Sequence, residues 1–202
     1  MTPVRIKKTR SKENRSTEPV RYSFPEGPSG PIAIQIDYAL LPAPPSYFYA
    51  DYVFVQREAQ VGMATIQFGR TQHQKVQSRI EVVMPESSLF GQFWNSLGNV
   101  EAVIDKQLAS RRQTGSAAKP TLEPQRSTTL YANNAFLAVG SGECSLDLYY
   151  LSPRDIHLAK TRRMALTLHP IIRIIMPSIA VKELLNQVRP YAESMKSVSE
   201  SR

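Results

Sequence analysis

One short phrase occurs twice in this chain, and it constrains the fold more than any other feature. Residues 79–93 read "RIEVVMPESSLFGQF" and residues 173–185 read "RIIMPSIAVKELL". Each time an apolar, strand-like run ends in Met-Pro and is followed by an apolar pattern of helical period. Proline is tolerated in the first turn of a helix, because its missing N–H would be unpaired there. The phrase therefore predicts, twice, a strand that leads through proline into a helix.

The residues that precede each phrase also match. "YADYVFVQR" at residues 49–57 corresponds to "YANNAFLAV" at 131–139, and a turn with a second strand-like run follows each. Tyr49 and Tyr131 are 82 positions apart, whereas Pro85 and Pro177 are 92 apart. The second copy thus has about ten extra residues, an insertion at 152–170 in which "RMALTL" alternates like a further strand.

Alternation of polar and apolar residues defines the strands of the first copy. In "YVFVQR", Tyr52 and Phe54 are predicted to face one way, and Val53 and Val55 the other. The polar stretch "EAQVG" then favours a hairpin turn into "MATIQFGR", and "VQSRIEVVM" forms a third strand. The first copy is predicted to be strand, strand, strand, helix.

Apolar residues at steps of three and four define one face of each helix. After Pro85 they are Leu89, Phe93, Leu97, Val100, Ile104 and Leu108, with Phe90 and Trp94 broadening the stripe. After Pro177 they are Val181, Leu184, Val188, Tyr191 and Met195. Pro190 is predicted to bend or end the second helix near Arg189, because proline lacks the N–H that the helix interior needs.

These patterns divide the chain into four parts. Residues 1–30 are predicted to be a disordered basic arm, 31–110 a first β-β-β-α unit, 111–127 a linker, and 128–202 a second β-β-β-α unit containing the insertion. The predicted fold class is α+β, with each unit an antiparallel sheet of three to four strands followed by a C-terminal helix. Since one such unit buries little core alone, the two are predicted to pack as an intrachain pseudo-dimer.

The second copy resembles a family of short bacterial strand-rich proteins with a C-terminal helix, grouped as a domain of unknown function. The residues that carry the resemblance are Tyr131, Ala132, Leu146, Asp147, Leu148, Arg173, Ile174, Ile175, Met176, Val181, Lys182, Leu184 and Leu185. The first copy is similar but departs from the pattern, with Gln67 in the place of Asp147. The layout of a sheet leading through proline into an apolar helix also resembles the SecB-type export chaperones in architecture, which implies binding of unfolded clients.

The sequence contains no pattern typical of an active site. His73, His157 and His169 lie in different segments and lack the spacing of metal ligands, and Cys144 is the only cysteine. "GSGECS" lacks the lysine of a phosphate loop and lies between two strands, so it favours a hairpin turn. We therefore expect a protein without catalytic residues, metal or cofactor.

Location is predicted from hydropathy and cysteine content. No apolar run reaches the roughly 18 residues that span a bilayer, and "MTPVRIKKTRSKENRS" lacks the apolar middle of a secretory signal. A single cysteine fits a reducing compartment. The prediction is a cytoplasmic protein without membrane insertion.

Two binding hypotheses remain. The first is a protein-protein contact or a larger assembly, including a homo-oligomer, through the aromatic first helix at Phe90, Phe93 and Trp94. The same side chains also suit the interface between the two copies, and this alternative is the stronger of the two for them. The alternative is a single-stranded nucleic-acid platform of strand aromatics (Tyr52, Phe54, Phe68, Tyr149 and Tyr150) flanked by Arg57, Arg70, Lys75, Arg79, Lys160, Arg162 and Arg163.

The charge distribution favours the first hypothesis. The formal charge of +8 suggests an anionic partner, but more than half of the excess lies in residues 1–30 and 105–127. Without the arm, the predicted first unit is net acidic.

Overall fold

The computed structural model describes residues 20–23, 33–36, 41–72, 75–110, 121–122, 127–162 and 168–200. The strands in these ranges are β1 (Val20–Ser23), β2 (Ala33–Ile36), β3 (Tyr47–Tyr49), β4 (Tyr52–Glu58), β5 (Met63–Gln72), β6 (Lys75–Pro85), β7 (Thr121–Leu122), β8 (Thr128–Tyr131), β9 (Asn134–Val139), β10 (Glu143–Tyr150) and β11 (His169–Pro177). The helices are a π helix (Ser87–Phe93), α1 (Trp94–Ser96), α2 (Val100–Ser110), α3 (Pro153–Arg162) and α4 (Ser178–Glu200). The predicted α+β class is confirmed.

The strands form two large sheets and a small one. Sheet I contains β4, β5 and β6 in antiparallel order, with the short strands β7 and β8 both parallel to β6. Sheet II has the order β3-β11-β10-β9, in which only β3 is parallel to its neighbour. Val20–Ser23 and Ala33–Ile36 pair with each other as a separate ribbon. The predicted hairpin of β4 and β5 is confirmed.

Two short strands cross from one sheet to the other. β3 directly precedes β4 in the chain but pairs with β11 in sheet II, where Tyr49 lies opposite Ile175. β8 precedes β9 but pairs with β6 in sheet I, where Tyr131 lies opposite Val83. Ala50 N donates to the Ile175 carbonyl at 2.9 Å, and Ala132 N donates to the Val83 carbonyl at 3.1 Å. Each sheet is therefore completed by a strand from the other half of the chain.

The turns that follow these strands have matching hydrogen bonds. Asp51 N donates to the Gly69 carbonyl and Asn133 N to the Tyr149 carbonyl, both at 3.0 Å. The Asp51 Oδ1 accepts from Thr71 N at 2.7 Å, and Asn133 Oδ1 accepts from Leu151 N at 2.8 Å. Asp and Asn both present an acceptor Oδ1, so either residue closes this turn.

One hydrophobic core joins both sheets and the helices. Alternate residues of each strand face it, as predicted for Val53 and Val55, while Phe54 faces outward. α4 contacts β10 and β11 of sheet II and also β4 of sheet I, whereas the π helix contacts β6 of sheet I and β9 of sheet II. Each helical segment thus packs across both sheets. The largest fully buried side chains include Phe68, Phe90, Met84, Leu146, Ile174, Met176, Leu184 and Leu185.

The helical segment after β6 differs from the single helix that the sequence predicts. Pro85 is the last residue of β6, and the π helix begins at Ser87. Its wider turn buries Ser88 together with Leu89, Phe90 and Phe93. Gly98 then takes a φ of 48°, in the left-handed region that glycine enters without steric cost, and α2 starts beyond it. The apolar stripe exists, but a turn divides it.

α2 is attached to α4 mainly by polar contacts. Glu101 accepts from Lys182 Nζ at 2.7 Å and is also paired with Arg189, while Asp105 lies 2.9 Å from Lys182 Nζ. Gln107 accepts from Ser178 Oγ at 2.8 Å and donates to the Gly140 carbonyl at 2.7 Å. Ile104 is the one fully buried residue of α2.

The prediction that Pro190 bends or ends the second helix is wrong as to its end, because α4 continues from Ser178 to Glu200. Proline in a helix interior costs about 3 kcal/mol relative to alanine. Beyond Pro190, however, Ala192 is completely buried, and Tyr191 and Met195 pack against the core. Tertiary burial of this last part of the helix offsets the local cost.

The insertion at 152–170 begins with a helix that the sequence analysis missed. Ser152 Oγ accepts from Asp155 N at 3.0 Å and donates to Asp155 Oδ2 at 2.7 Å, and Pro153 occupies the first helical position. This is a reciprocal capping arrangement, readable in "SPRD". The strand predicted over "RMALTL" lies, except for its last residue, outside the described residues, as do most of the predicted arm and linker.

Candidate functional site: the outer faces of the two sheets

The outer face of each sheet points away from α4 and the π helix. On sheet I, cross-strand neighbours on this face are Phe54, Gln67, Glu81 and Thr129. On sheet II the matching row is Tyr47, Arg173, Asp147 and Phe136. α3 covers one end of this second face, because Ile156 joins Phe136, Tyr149 and Leu168 in a small separate cluster. The remainder of both faces is the candidate binding surface.

Four aromatic side chains on these strands are strongly exposed. Tyr47 is 67% exposed, Tyr49 47%, Tyr131 45% and Phe54 42%. Tyr47 and Tyr49 contact each other edge to face at 5.7 Å, and Tyr131 and Tyr150 do the same across the two sheets, also at 5.7 Å. Such pairs hold the rings in a fixed orientation. We call them the β3 tyrosine pair and the β8 tyrosine pair.

A bidentate ion pair between Arg173 and Asp147 lies beside the β3 tyrosine pair. Arg173 donates from Nε and Nη2 to the two carboxylate oxygens of Asp147 at 2.6 and 2.7 Å. At the corresponding positions of sheet I, the neutral Gln67 donates from Nε2 to Glu81 Oε1 at 3.3 Å. Bidentate pairing satisfies the Arg173 fork, so this guanidinium is not set up to receive a phosphate.

Those basic residues predicted to hold nucleic acid that the structure describes lie on β4, β5, β6 and α3. Arg57 donates to both oxygens of Glu86 at 2.8 and 3.0 Å, and its guanidinium lies 5.8 Å from the centre of the Tyr191 ring. The hydrogen bonds to Glu86 raise the pKa of Arg57. Arg70 and Lys75 are exposed near the adjoining ends of β5 and β6. These ends carry charge but no exposed aromatic ring.

Arg79 is the basic residue that the structure places near a predicted strand aromatic. It lies on β6 opposite Gly69, which in turn pairs with Tyr52. Burial raises the pKa of Tyr52, and the nearby Arg79 charge acts in the opposite direction. Lys160 and Arg162 lie at the end of α3, and Arg163 lies outside the described residues.

The aromatic residues predicted as a protein contact lie in or against the core. Phe90 and Phe93 are 1% and 2% exposed, and the Phe90 ring packs 5.0 Å from the Tyr191 ring. Trp94 is half-buried, with the Arg189 guanidinium 5.9 Å from its ring centre. Phe90 and Phe93 are therefore used in packing, and Trp94 packs against the core.

The predicted strand aromatics divide between core and surface. Phe68 is completely buried, and Tyr149 is buried with its hydroxyl donating to the Pro42 carbonyl at 3.1 Å. Tyr52, Phe54 and Tyr150 retain exposure. Tyr47, Tyr49 and Tyr131 are not among the binding residues predicted from the sequence. "YFYAD" carries a signal for the first two, since the alternation of strand side chains places residues 47 and 49 on the same face.

Among the described residues, two contacts join side chains that could take part in chemistry, and they lie in different places. Cys144 is buried, burial raises the pKa of its thiol, and its Sγ lies 4.0 Å from Ser178 Oγ. His169 Nε2 lies 3.2 Å from Asp155 Oδ2 at the surface. The described part of the chain has no group of three or more His, Cys, Asp or Glu residues arranged for a metal ion. None of the helices in the described ranges has the length and apolar composition needed to cross a membrane.

No family model, no curated protein and no solved structure matches this chain.

Proposed function

We propose that this is a non-enzymatic, cytoplasmic binding or assembly protein that contacts a protein partner through the outer faces of its two sheets. The observation that carries the proposal is the β3 tyrosine pair, whose rings are exposed by 67% and 47% at the edge of sheet II. Tyrosine is enriched at protein interfaces because it supplies a large contact area, a polar tip and few rotatable bonds. Exposed apolar surface on a sheet is typical of a docking site.

The framework of the proposal is a tandem duplication packed as an intrachain pseudo-dimer. Support comes from the reciprocal strand exchange, in which Tyr49 lies opposite Ile175 and Tyr131 opposite Val83. Tyr49 and Tyr131 are 82 positions apart, and Val83 and Ile175 are 92 apart, the two offsets of the sequence repeat. The proposed relation to the bacterial domain of unknown function rests on the second copy.

Charge on the outer faces supports a protein partner over nucleic acid. Arg173 on the face of sheet II is engaged by the Asp147 carboxylate, and the face of sheet I carries Glu81. A single-stranded nucleic-acid platform needs cations that follow the phosphates beside the stacking rings. The second candidate function, nucleic-acid binding, rests on the one place where Arg79 accompanies Tyr52 and Phe54.

The test compares partner capture by the wild-type chain, a Tyr47→Ser/Tyr49→Ser variant and a matched Val103→Ser/Ile179→Ser variant. Val103 and Ile179 are exposed by 46% and 47%, but they lie on helices away from the sheet faces. We expect the same partner to be enriched by wild type and control, and to be lost with the tyrosine variant. Equal capture by all three proteins would refute the proposal.

Titration of labelled single-stranded DNA in a salt series tests the second candidate. Binding whose affinity falls steeply with salt, and which an Arg79→Glu variant abolishes, would favour the nucleic-acid platform. Absence of DNA binding, or binding that Arg79→Glu leaves unchanged, counts against nucleic-acid binding by the sheet face.

A further inference from the structure

The outer edge of β4 is closed by a side chain. β4 pairs with β5 on one side only, and on its other side Val55 N donates to Gln187 Oε1 at 2.7 Å. Gln187 Nε2 donates to the Val53 carbonyl at 3.3 Å and to Glu183 Oε1 at 2.8 Å. The amide of Gln187 thus takes the place of a neighbouring strand, and it protects an edge that could otherwise pair with another chain.

The corresponding edge on sheet II is β9. Gly140 N donates to the Glu143 carbonyl at 2.9 Å across the β9–β10 turn, which makes residues 140 and 143 a hydrogen-bonded pair. Hydrogen-bonded and non-hydrogen-bonded pairs alternate along an antiparallel ladder. The backbone groups of Ala135, Leu137 and Val139 therefore point away from β10, toward the outer edge.

No residue in the described ranges forms a hydrogen bond to these outward groups. Ala135 and Leu137 match Val53 and Val55 at the offset of 82, and the position that matches Gln187 at the offset of 92 is Asn95. Asn95 is exposed on α1, and its side chain is one methylene shorter than that of glutamine. The two edges thus have the same place in their sheets but differ in protection.

β9 also lacks the charges with which natural edge strands avoid pairing. Its sequence, "NAFLAV", contains no Lys, Arg, Asp or Glu, whereas β4 ends in "QRE". Like charges directly opposite each other destabilise a strand pair, so an uncharged strand can lie beside its own copy without that cost. Gln107 occupies the Gly140 carbonyl at the turn, which leaves residues 135–139 as the open part of the edge.

We propose that β9 pairs antiparallel with β9 of a second copy, about a two-fold axis through Leu137. In this register Ala135 faces Val139 of the second copy, Leu137 faces its equivalent, and Phe136 lies beside Ala138 of the other strand. The outward groups of residues 135, 137 and 139 would form about six hydrogen bonds. The interface is isologous and closed, so it yields a dimer in which two copies of sheet II form one continuous sheet.

This dimer uses a strand edge, not the exposed tyrosines, and it does not depend on the proposed function. If the chain dimerises but captures no partner, the β9 proposal stands and the proposed function fails. If a partner binds a monomeric chain, the proposed function stands and the β9 proposal fails.

The test is the oligomeric state of the full chain, measured by sedimentation over a range of concentrations up to the order of 100 μM. The probing variant is Ala138→Lys, which places a charge on the open edge. The matched control is Gln56→Lys, at the equivalent position of β4. We expect a wild-type dimer, an increase of about tenfold or more in its dissociation constant with Ala138→Lys, and less than about twofold with the control. A monomeric wild type, or a dimer that resists Ala138→Lys, overturns the proposal.

Two further measurements test pairing through β9 if the Ala138→Lys variant fails to fold. Gln187→Ala opens the β4 edge as well, so we expect species larger than a dimer. Hydrogen exchange of the wild-type amides of Ala135, Leu137 and Val139 should slow as concentration rises. Exchange that is independent of concentration, or a dimer lost with Tyr47→Ser/Tyr49→Ser, places any association elsewhere and refutes pairing through β9.

Discussion

The two helical segments that follow the repeated Met-Pro phrase are built differently. α4 is a single helix of 23 residues, whereas the segment after Pro85 consists of a π helix of 7 residues, a turn at Gly98 and α2 with 11 residues. α4 buries Ala180, Val181, Leu184, Leu185, Val188 and Ala192 completely or nearly so, while α2 buries Ile104. The same local signal therefore starts both segments, but the distribution of apolar residues decides how each one continues.

The largest expected effect is at Phe90, where the π helix makes its deepest contact. Phe90→Ser removes a fully buried ring and leaves a cavity beside Tyr191, so we expect a loss of about 3–5 kcal/mol in the free energy of unfolding. Urea denaturation measures it. Val103→Ser, an exposed position on α2, should change stability by less than about 0.5 kcal/mol. Partner loss with a folded Phe90→Ser variant would instead show that the ring acts at a binding surface.

Pro190 offers the converse test on α4. Pro190→Ala restores an N–H that can donate to the Asn186 carbonyl, four residues earlier in the helix, and so should stabilise the protein by about 1–3 kcal/mol. A rise in melting temperature checks this. An unchanged melting temperature would mean that the surrounding core has already adapted to the proline.

The two glycines of the first segment should respond with opposite signs. Gly98 has a φ of 48°, so Gly98→Ala is strained and should cost about 1 kcal/mol. Gly91 lies inside the π helix, and a Cβ added there meets nothing within 4 Å. Gly91→Ala should therefore stabilise the protein by about 0.5–1 kcal/mol. Equal effects of the two substitutions in denaturation curves would contradict the proposed role of the turn.

The smallest effect concerns the ion pairs that hold α2. Hydrogen bonds from Lys182 and Arg189 lower the pKa of Glu101 below its usual value of 4.5. A lowered folded pKa means that this contribution is present above pH 4.5 and is lost as pH falls through the lower folded value. Glu101→Gln should cost about 0.5 kcal/mol at pH 7, since exposed pairs contribute little. Thermal melts between pH 7 and pH 3 should show a weaker pH dependence in the variant than in wild type.

Local patterns predicted the strands of both halves and the buried faces of their helices. Alternation placed Val53 and Val55 on the face opposite Phe54, and steps of three and four placed Leu184 and Val188 on one face of their helix, because side-chain direction follows directly from the period of each element. All four side chains are buried. The capping residues in "SPRD" were sufficient to predict the start of α3, although no helix was predicted there. The candidate site was less accessible to such reasoning, since Phe54 and Phe68 belong to equally good strands and yet one is exposed and the other buried.

The α+β class and the order of the core strands and their helices could be predicted from the sequence, since these depend on the spacing of neighbouring residues. Contacts made in the folded chain set the pairing of β3 with β11 and of β8 with β6, the continuation of α4 through Pro190, and the closure of the β4 edge by Gln187, while no described residue bonds to the outer edge of β9. Each of these depends on residues far apart in the chain. Their energies come from burial and hydrogen bonds formed only after the two halves meet, so no local pattern records them.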